Sequence, residues 1–423
     1  MSLTETENGG AGMNEPAAAL HRLANPDLQQ VMTGKLLPIY VVIGTRAQLI
    51  KMAPVMRELE KAGLPYDFVY TQQHKETIED LIANFDITTR PRPVIQCSQE
   101  AKTLWLFAGW WAGMLRVMLS SRRRAMVFSR GAGLVVTHGD TATTLWAAVC
   151  GKLSGCVVMH VEAGLRSHNL LDPFPEEIMR VLTGRFADIH ACPNDWAVQN
   201  LRNVKGVKLN TVQNLMRDSL AYGLEKVKDN PAYASRLREL GVPDEFALVS
   251  IHRYENIFRR MRLQKVMSLL LRIAGRISLV IVMHPSTERQ LVRTGWREKL
   301  AANPRIVLLP RQDFMTFVAL VQRARFVVTD GGSNQEEMSY IGKPTLIFRM
   351  VTERREGIGR NAVISRFDEA VIDDFVADYR KYEYPPQQTE ASPARMLVDW
   401  IGKFVRRGSL ANSESVNRTG PVA

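Results

Sequence analysis

Gly133-Leu134-Val135-Val136-Thr137-His138-Gly139-Asp140-Thr141 is the stretch that decides the fold. Its first half is apolar and β-branched with no polar alternation, the mark of a strand buried on both faces. Its second half turns polar at once around a glycine. The next apolar run, Cys156 to Val161, closes the same way in His160-Val161-Glu162-Ala163-Gly164-Leu165-Arg166. Two successive runs built alike, with a helical pattern between them, read as parallel strands.

Working outward, Leu37–Ile43, Asp67–Thr71 and Ile189–Cys192 read as further strands of this series. The helix after the first strand carries the apolar spacing Leu49, Ala53, Met56, Leu59 and a stop at Gly63; Pro54 fits there only as a kink or an early-turn feature. A second series opens after Asn214 with Phe246–Ile251, Leu279–Met283, Arg305–Leu308, Phe326–Thr329 and Pro344–Phe348. Two such series predict an α/β fold of two Rossmann-like, doubly wound domains facing a central cleft. The expected domains are 36–214 and 215–390, with a last helix at 392–405 packing back on the first. Residues 1–35 are expected to be a disordered or short helical extension, and 409–423 a disordered tail.

The chain of 423 residues has 46% hydrophobic and 23% charged residues, a globular composition, and a formal net charge of +12. A basic surface suits an anionic partner, and nucleotide sugars qualify as readily as nucleic acid. Arg122–Arg124 is the only long basic run, and neither zinc-finger spacing nor an aromatic-basic repeat is present, so no nucleic-acid partner is expected. The four cysteines, Cys97, Cys150, Cys156 and Cys192, lack metal-ligand spacing and read as free thiols in a reducing compartment. With no basic start and apolar run at the N-terminus, a cytoplasmic location is expected. Leu104 to Leu119 is nearly all apolar but interrupted by Arg116, and shorter than the about 20 residues of a spanning helix. Two readings stand for residues 104–124: a buried helix, or a weak membrane-surface contact ending in the arginine cluster.

In open parallel sheets ligands gather beyond the carboxyl ends of the strands, so the polar clusters there are the ones to read. Gly44-Thr45-Arg46 offers a tight turn, a helix N-terminus and a cation for a phosphate, although many structural turns look alike. Lys51 lies five positions on and off the Arg46 face, which weakens its claim. Asp140 and Glu162 end successive strands, and two carboxylates at one sheet edge can divide into acid and base; capping of a turn is the plainer alternative. Asp172-Pro173-Phe174-Pro175-Glu176-Glu177 reads as a helix start with Pro175 in the first turn, and Glu176 and Arg180 are spaced to pair. In the second series His252-Arg253 and His284-Pro285 each end a strand. Finally, Thr329-Asp330-Gly331-Gly332-Ser333-Asn334 opens a helix running from Gln335 to Ile341. Its bare N-terminus suits a pyrophosphate, and Glu337 suits ribose hydroxyls.

Taken in order, His138–Thr141, His160–Arg166, Pro175–Glu177, Gln335–Glu337 and Thr352–Arg354 resemble the non-hydrolysing UDP-N-acetylglucosamine 2-epimerases, which have a GT-B type of fold. The resemblance runs from about Ile39 to Ala362. It implies reversible conversion of UDP-GlcNAc, or a close UDP-N-acetylhexosamine, to UDP-ManNAc by elimination of UDP to a glycal and re-addition, serving surface polysaccharide precursors. It also implies a homodimer, a UDP-sugar as the small-molecule partner, and neither metal nor other cofactor. By motif, Asp140, Glu162, Glu176 and His252 would be catalytic. Arg46, Lys51, Arg180, Gly331, Gly332, Ser333, Asn334 and Arg354 would bind substrate, Glu337 the ribose, and Gln312 to Phe317 would border the uracil. Some bacterial members bind a second nucleotide sugar near positions matching Gln73, His74 and Arg253. Three departures stand out: Ala47-Gln48 replace the family's Pro-Glu after Arg46, Gly331-Gly332-Ser333 replaces its Ser-Gly-Gly, and Phe258 replaces a glycine. A hydrolysing relative releasing UDP and ManNAc, a GT-B glycosyltransferase and a nucleotide-sugar sensor are the competing readings.

Overall fold

The computed structural model describes residues 36–73, 78–95, 104–128, 133–170, 174–352, 354–386 and 392–416. The expected 1–35 extension, His74, Cys97, Asp172, Pro173, Glu353 and residues 417–423 lie outside them. The chain forms two compact units, one made of Met1–Asp218 with Ala391–Ala423 and the other of Ser219–Glu390.

The first unit carries a seven-stranded, wholly parallel sheet in the order β3-β2-β1-β4-β5-β6-β7. Its strands are β1 (Ile39–Ile43), β2 (Tyr66–Tyr70), β3 (Pro91–Pro93), β4 (Leu134–His138), β5 (Val157–Val161), β6 (Ile189–Cys192) and β7 (Val207–Asn210). β1, β4, β5 and β6 are buried at every position, as their unbroken apolar runs require. The second unit holds a six-stranded parallel sheet in the order β10-β9-β8-β11-β12-β13. It comprises β8 (Phe246–Ser250), β9 (Ser278–Val282), β10 (Ile306–Leu309), β11 (Val327–Thr329), β12 (Thr345–Ile347) and β13 (Ala362–Ile364). The direction of winding reverses between β1 and β4 in one unit and between β8 and β11 in the other. These are the switch points at which doubly wound sheets leave room for ligands.

Thr45 caps the helix Arg46–Lys61 by accepting from the Gln48 N–H, and the chain leaves it through Gly63 at φ 63°. Pro54 neither starts nor ends this helix: it lies buried in its interior. The helix Leu104–Leu119 sets Trp110, Met114 and Val117 into the core beside Tyr40, Phe128 and Trp146. Its indole is satisfied as burial demands, Trp110 Nε1 donating to the Thr71 carbonyl at 2.8 Å, and Trp146 Nε1 donates to the Met114 carbonyl at 2.9 Å. The inward face of this helix is therefore core, while Leu115 and Leu119 are exposed. Residues 104–124 are also not one helix, because Ser120 ends the first and caps a second, Ser121–Val127. No helix among the described residues is long and apolar enough to cross a membrane.

Asp218 anchors the final helix, Pro393–Val416, by accepting from Ser392 Oγ and the Ala394 N–H, both at 2.8 Å. That helix packs against Arg46–Lys61 and continues past the Val405 end expected from sequence, through residues 409–416 that were expected to be tail. No proline lies between Pro393 and Pro421, so no missing N–H interrupts the helix sooner. Cys150, Cys156 and Cys192 are buried free thiols, and burial raises each to about 12.

Candidate active site

At the β1–β4 switch point the turns are knotted together by Gln48. Its Oε1 accepts from the Gly44 N–H at 2.9 Å, and its Nε2 donates to the His138 carbonyl at 2.6 Å, Thr141 Oγ1 at 3.0 Å and Thr144 Oγ1 at 3.1 Å. A glutamate at this position would have no N–H for the carbonyl; the amide does. Gln48→Ala should strand several buried polar groups and cost about 1–3 kcal/mol, read as a lower denaturant midpoint with turn geometry otherwise retained. Arg46 does not point a free guanidinium at a phosphate: it forms a bidentate pair with Asp80 at 2.6 and 2.5 Å.

β4 and β5 are hydrogen-bonded neighbours, so Asp140 and Glu162 emerge at adjacent strand ends. Neither is a helix cap. Thr141 caps the helix Ala142–Leu153, and Glu162 sits in the left-handed region at φ 62°. A non-glycine residue held there costs free energy that the surroundings must offset, a pattern common at functional sites. The surroundings here are Lys51, whose Nζ lies 2.7 and 2.8 Å from the two Glu162 oxygens, and Asn214, whose Nδ2 donates to Oε1. His138 Nε2 lies 3.3 Å from Oε2. Burial would raise the Glu162 carboxyl, but Lys51 and these donors outweigh it and hold it well below the usual carboxylate range. Burial lowers His138 to about 3 and His160 to about 4, so both imidazoles are neutral at pH 7. His160 Nε2 donates to the Gly139 carbonyl at 2.7 Å, which fixes its tautomer.

The helix Glu176–Phe186 begins one residue later than expected, with Pro175 before it rather than in its first turn. The expected pairing of Glu176 with Arg180 is replaced. Arg180 reaches Asp140 at 2.5 Å and Glu177 at 3.2 Å, because Glu177 is buried and already anchored by Arg166 Nε at 2.6 Å. Burial raises the Glu177 carboxyl, yet Arg166 and the Ser167 N–H lower it further than burial lifts it. Glu176 is left with a buried Oε2 that has no hydrogen-bond partner. The three candidate carboxylates thus differ: Glu162 is paired with Lys51, Asp140 with Arg180, and Glu176 keeps a bare oxygen.

In the second unit His252 follows β8 and Asp330 follows the adjacent β11. Asp330 is fully buried and accepts from the His252 N–H at 3.0 Å, the Arg253 N–H at 2.9 Å and Asn256 Nδ2 at 2.9 Å. His284 caps the helix Pro285–Thr294, and its ring lies 6.1 Å from that of His252. The helix Gly332–Ile341 starts earlier than the Gln335 read from sequence, with Gly331 at its N-cap, no side chain capping it, and Ser333 exposed in its first turn. Gln335 and Glu336 are structural here. Gln335 Nε2 donates to the Arg354 and Glu356 carbonyls at 3.1 and 2.9 Å, while Glu336 pairs with Arg354 at 2.9 Å and accepts from the Tyr340 hydroxyl at 2.6 Å. Glu337 and Phe317 are half-buried, and Gln312 Nε2 donates to the Pro310 carbonyl at 2.7 Å just before the helix Phe314–Arg323. Gln73, placed by motif near an activator, has its Oε1 occupied by the Thr143 N–H and hydroxyl at 3.1 and 2.8 Å. Among the described residues no group of three or more His, Cys, Asp or Glu could hold a metal ion.

The family model described as UDP-N-acetylglucosamine 2-epimerase matches residues 57–391. The chain belongs to that family. It is 30% identical over 327 residues to UDP-N-acetylglucosamine 2-epimerase of Bacillus subtilis (strain 168), covering 77% of this chain and 82% of that one. In three dimensions it resembles UDP-GlcNAc 2-epimerase from Methanocaldococcus jannaschii, with a TM-score of 0.70 and 22% identity over 87% of this chain and 100% of the other. It also resembles UDP-GlcNAc 2-epimerase from Neisseria meningitidis bound to UDP-GlcNAc, at TM-score 0.69 and 24% identity over 88% and 100%. The two doubly wound units are the GT-B-type α/β fold of this family.

Sequence reasoning passed over His138 as a neighbour of Glu162, Asn214 and Asp330. Asn214 carried no signal beyond marking a domain boundary. Asp330 did carry one, an acid closing a buried strand beside the glycines, and it was read only as part of the turn.

Proposed function

We propose that this chain interconverts UDP-GlcNAc and UDP-ManNAc without hydrolysis, by anti- or syn-elimination of UDP across C1–C2 and re-addition after the C2 proton has changed face. The base takes the C2 proton, the C1–O bond breaks with its electron pair leaving on UDP, and a glycal remains. Re-addition of the UDP oxygen to C1 with protonation of C2 from the other side completes the change. The observation that carries this reading is the unequal partnering of the three carboxylates. Glu162, fixed as an anion by Lys51, is suited to stabilise positive charge developing at the ring rather than to exchange a proton. Glu176, with one oxygen lacking any hydrogen bond, is the carboxylate suited to carry the proton. Asp140, tied to Arg180, is the second acid-base group once substrate draws that arginine away.

The helix N-terminus at Gly331, Gly332, Ser333 and Asn334 would take the pyrophosphate, with Glu337 on the ribose and Gln312 and Phe317 beside the uracil. Arg46, Arg180 and Arg354 already hold carboxylates, so each would bind a phosphate by exchanging partners, whereas Lys51 would approach a phosphate while still paired with Glu162. His252 would protonate or hold the departing UDP oxygen. The reaction needs no redox cofactor and fits a cytoplasmic homodimer feeding surface-polysaccharide synthesis.

Incubation with UDP-GlcNAc in D2O, followed by NMR, tests this. C2-deuterated UDP-ManNAc is expected. Release of free ManNAc with UDP would replace the proposal with hydrolysis, and no turnover without a sugar acceptor would replace it with glycosyl transfer or sensing.

A further inference from the structure

Gly331 does not need to be glycine for its backbone: its φ is −80°, which any residue adopts. What forbids a side chain is a neighbour. A Cβ at this position would lie 2.8 Å from Cε1 and 3.4 Å from Nε2 of the His252 ring, with Thr329 Oγ1 the next atom at 3.5 Å. Carbon atoms do not approach to 2.8 Å without displacement. The space that a serine would fill at this point of the turn is the space in which the imidazole sits, and the hydroxyl has moved two residues on to the exposed Ser333.

The ring has a second constraint. Asp330 uses both carboxyl oxygens to hold the backbone that carries His252, through the His252 and Arg253 N–H groups, and its Oδ1 lies 3.5 Å from His252 Nδ1. That separation is longer than a formed hydrogen bond, and catalytic contacts of unliganded enzymes commonly tighten when substrate binds. Asp330 is fully buried, whereas the His252 side chain is 40% exposed, so the ring is gripped at one edge and open at the other.

We infer that Asp330 and Gly331 are positioning residues that seat the His252 imidazole, Asp330 accepting the Nδ1 proton so that Nε2 faces the reacting group. The inference rests on the catalytic role proposed for His252. Asp330 fixes which nitrogen carries the proton, and Gly331 fixes where the ring lies. A shift of about 1 Å in such a group costs on the order of 100-fold in rate. Glycine at 331 and this ring position therefore belong together.

A double-mutant cycle tests it. Gly331→Ala should lower kcat about 100-fold, a loss larger than any change in KM or UDP affinity that the added methyl causes in the pyrophosphate turn. In a His252→Ala background the same substitution should cost nothing further, because the added methyl then meets no ring. The imidazole is followed independently of activity by its Cε1–H NMR signal, assigned through its loss in His252→Ala. That signal should shift in Gly331→Ala. It should shift as well in Asp330→Asn, where the carboxylate beside Nδ1 is gone. Equal losses from Gly331→Ala with and without His252, or an unmoved His252 signal in both single variants, would overturn the inference. Signal shifts as expected in the variants, alongside a wild-type protein that never turns over UDP-GlcNAc, would sink the proposed reaction instead.

Discussion

Glu176→Gln should cut turnover of UDP-GlcNAc by roughly 10²–10⁴-fold, the usual contribution of a general acid or base, while leaving UDP binding and thermal stability near those of the parent. Glutamine keeps the shape and removes only the ability to accept and return a proton. Stability should hold because the Glu176 Oε2 makes no hydrogen bond that the change would break. The decisive readout is incorporation of solvent deuterium at C2, not net conversion alone. If Glu176→Gln still exchanges that proton at close to the parent rate, another carboxylate is the base. Asp140 is the next candidate, because its cation Arg180 also serves Glu177 and has somewhere else to go. Glu162 is the least suited. Its lowered pKa makes it a poor proton acceptor at neutral pH, and Lys51 would have to leave it uncompensated in a buried place.

Ten of the thirteen strands among the described residues are legible in the amino-acid sequence, and the three that are not share a cause. β3, β7 and β13 are all edge strands. An edge strand is solvated along one side and needs no continuous apolar run, so Pro91-Arg92-Pro93 and Val207-Lys208-Leu209-Asn210 carry no signal that separates them from loops. The buried strands are the reverse case: burial on both faces forces an unmistakable composition. The same contrast holds for the candidate site. Asp140, Glu162 and His252 could be located because each ends a strand of that kind. Their partners could not be, because pairing depends on which side chains the fold brings together. Lys51 and Glu162 are separated by more than a hundred residues and meet because β1 and β5 both flank β4 in one sheet. Helical spacing suggested Glu176 for Arg180, a local pair worth a few tenths of a kcal/mol on an exposed helix. The strand-end Asp140 and the buried Glu177 hold that arginine instead, because the fold brings both carboxylates to it.

Lys51→Met should produce the largest loss of stability, roughly 3–5 kcal/mol, because it leaves the Glu162 carboxylate buried without its cation. The first unit can be followed selectively, since all the tryptophans but Trp296 belong to it. Adding Glu162→Gln to Lys51→Met should recover most of the loss: a neutral amide still accepts from Asn214 and no longer requires a counter-charge. The effect of pH separates this account from a simple packing defect. In the parent, the folded Glu162 carboxyl lies below the 4.5 of an unfolded glutamate, so its contribution is present above pH 4.5 and is lost as pH falls. In Lys51→Met the balance reverses, because burial, the largest influence on this carboxyl, now acts with far less opposition and raises it. The folded variant then takes up a proton more readily than its unfolded chain, and it gains relative stability on acidification. The gap between parent and variant, measured as urea midpoints at pH 7 and pH 5, should therefore narrow at the lower pH. His160 and His190, on which Lys51 does not act, weaken both proteins alike over this interval, since their folded values of about 4 lie below the 6.5 of an unfolded histidine, and they cancel in the comparison; His138 is held down partly by Lys51, so losing that lysine relieves it in the variant and narrows the gap in the same direction. A gap that stays constant with pH, with no recovery in the double variant, would mean that the lysine stem matters only as packing and that Glu162 does not depend on its charge.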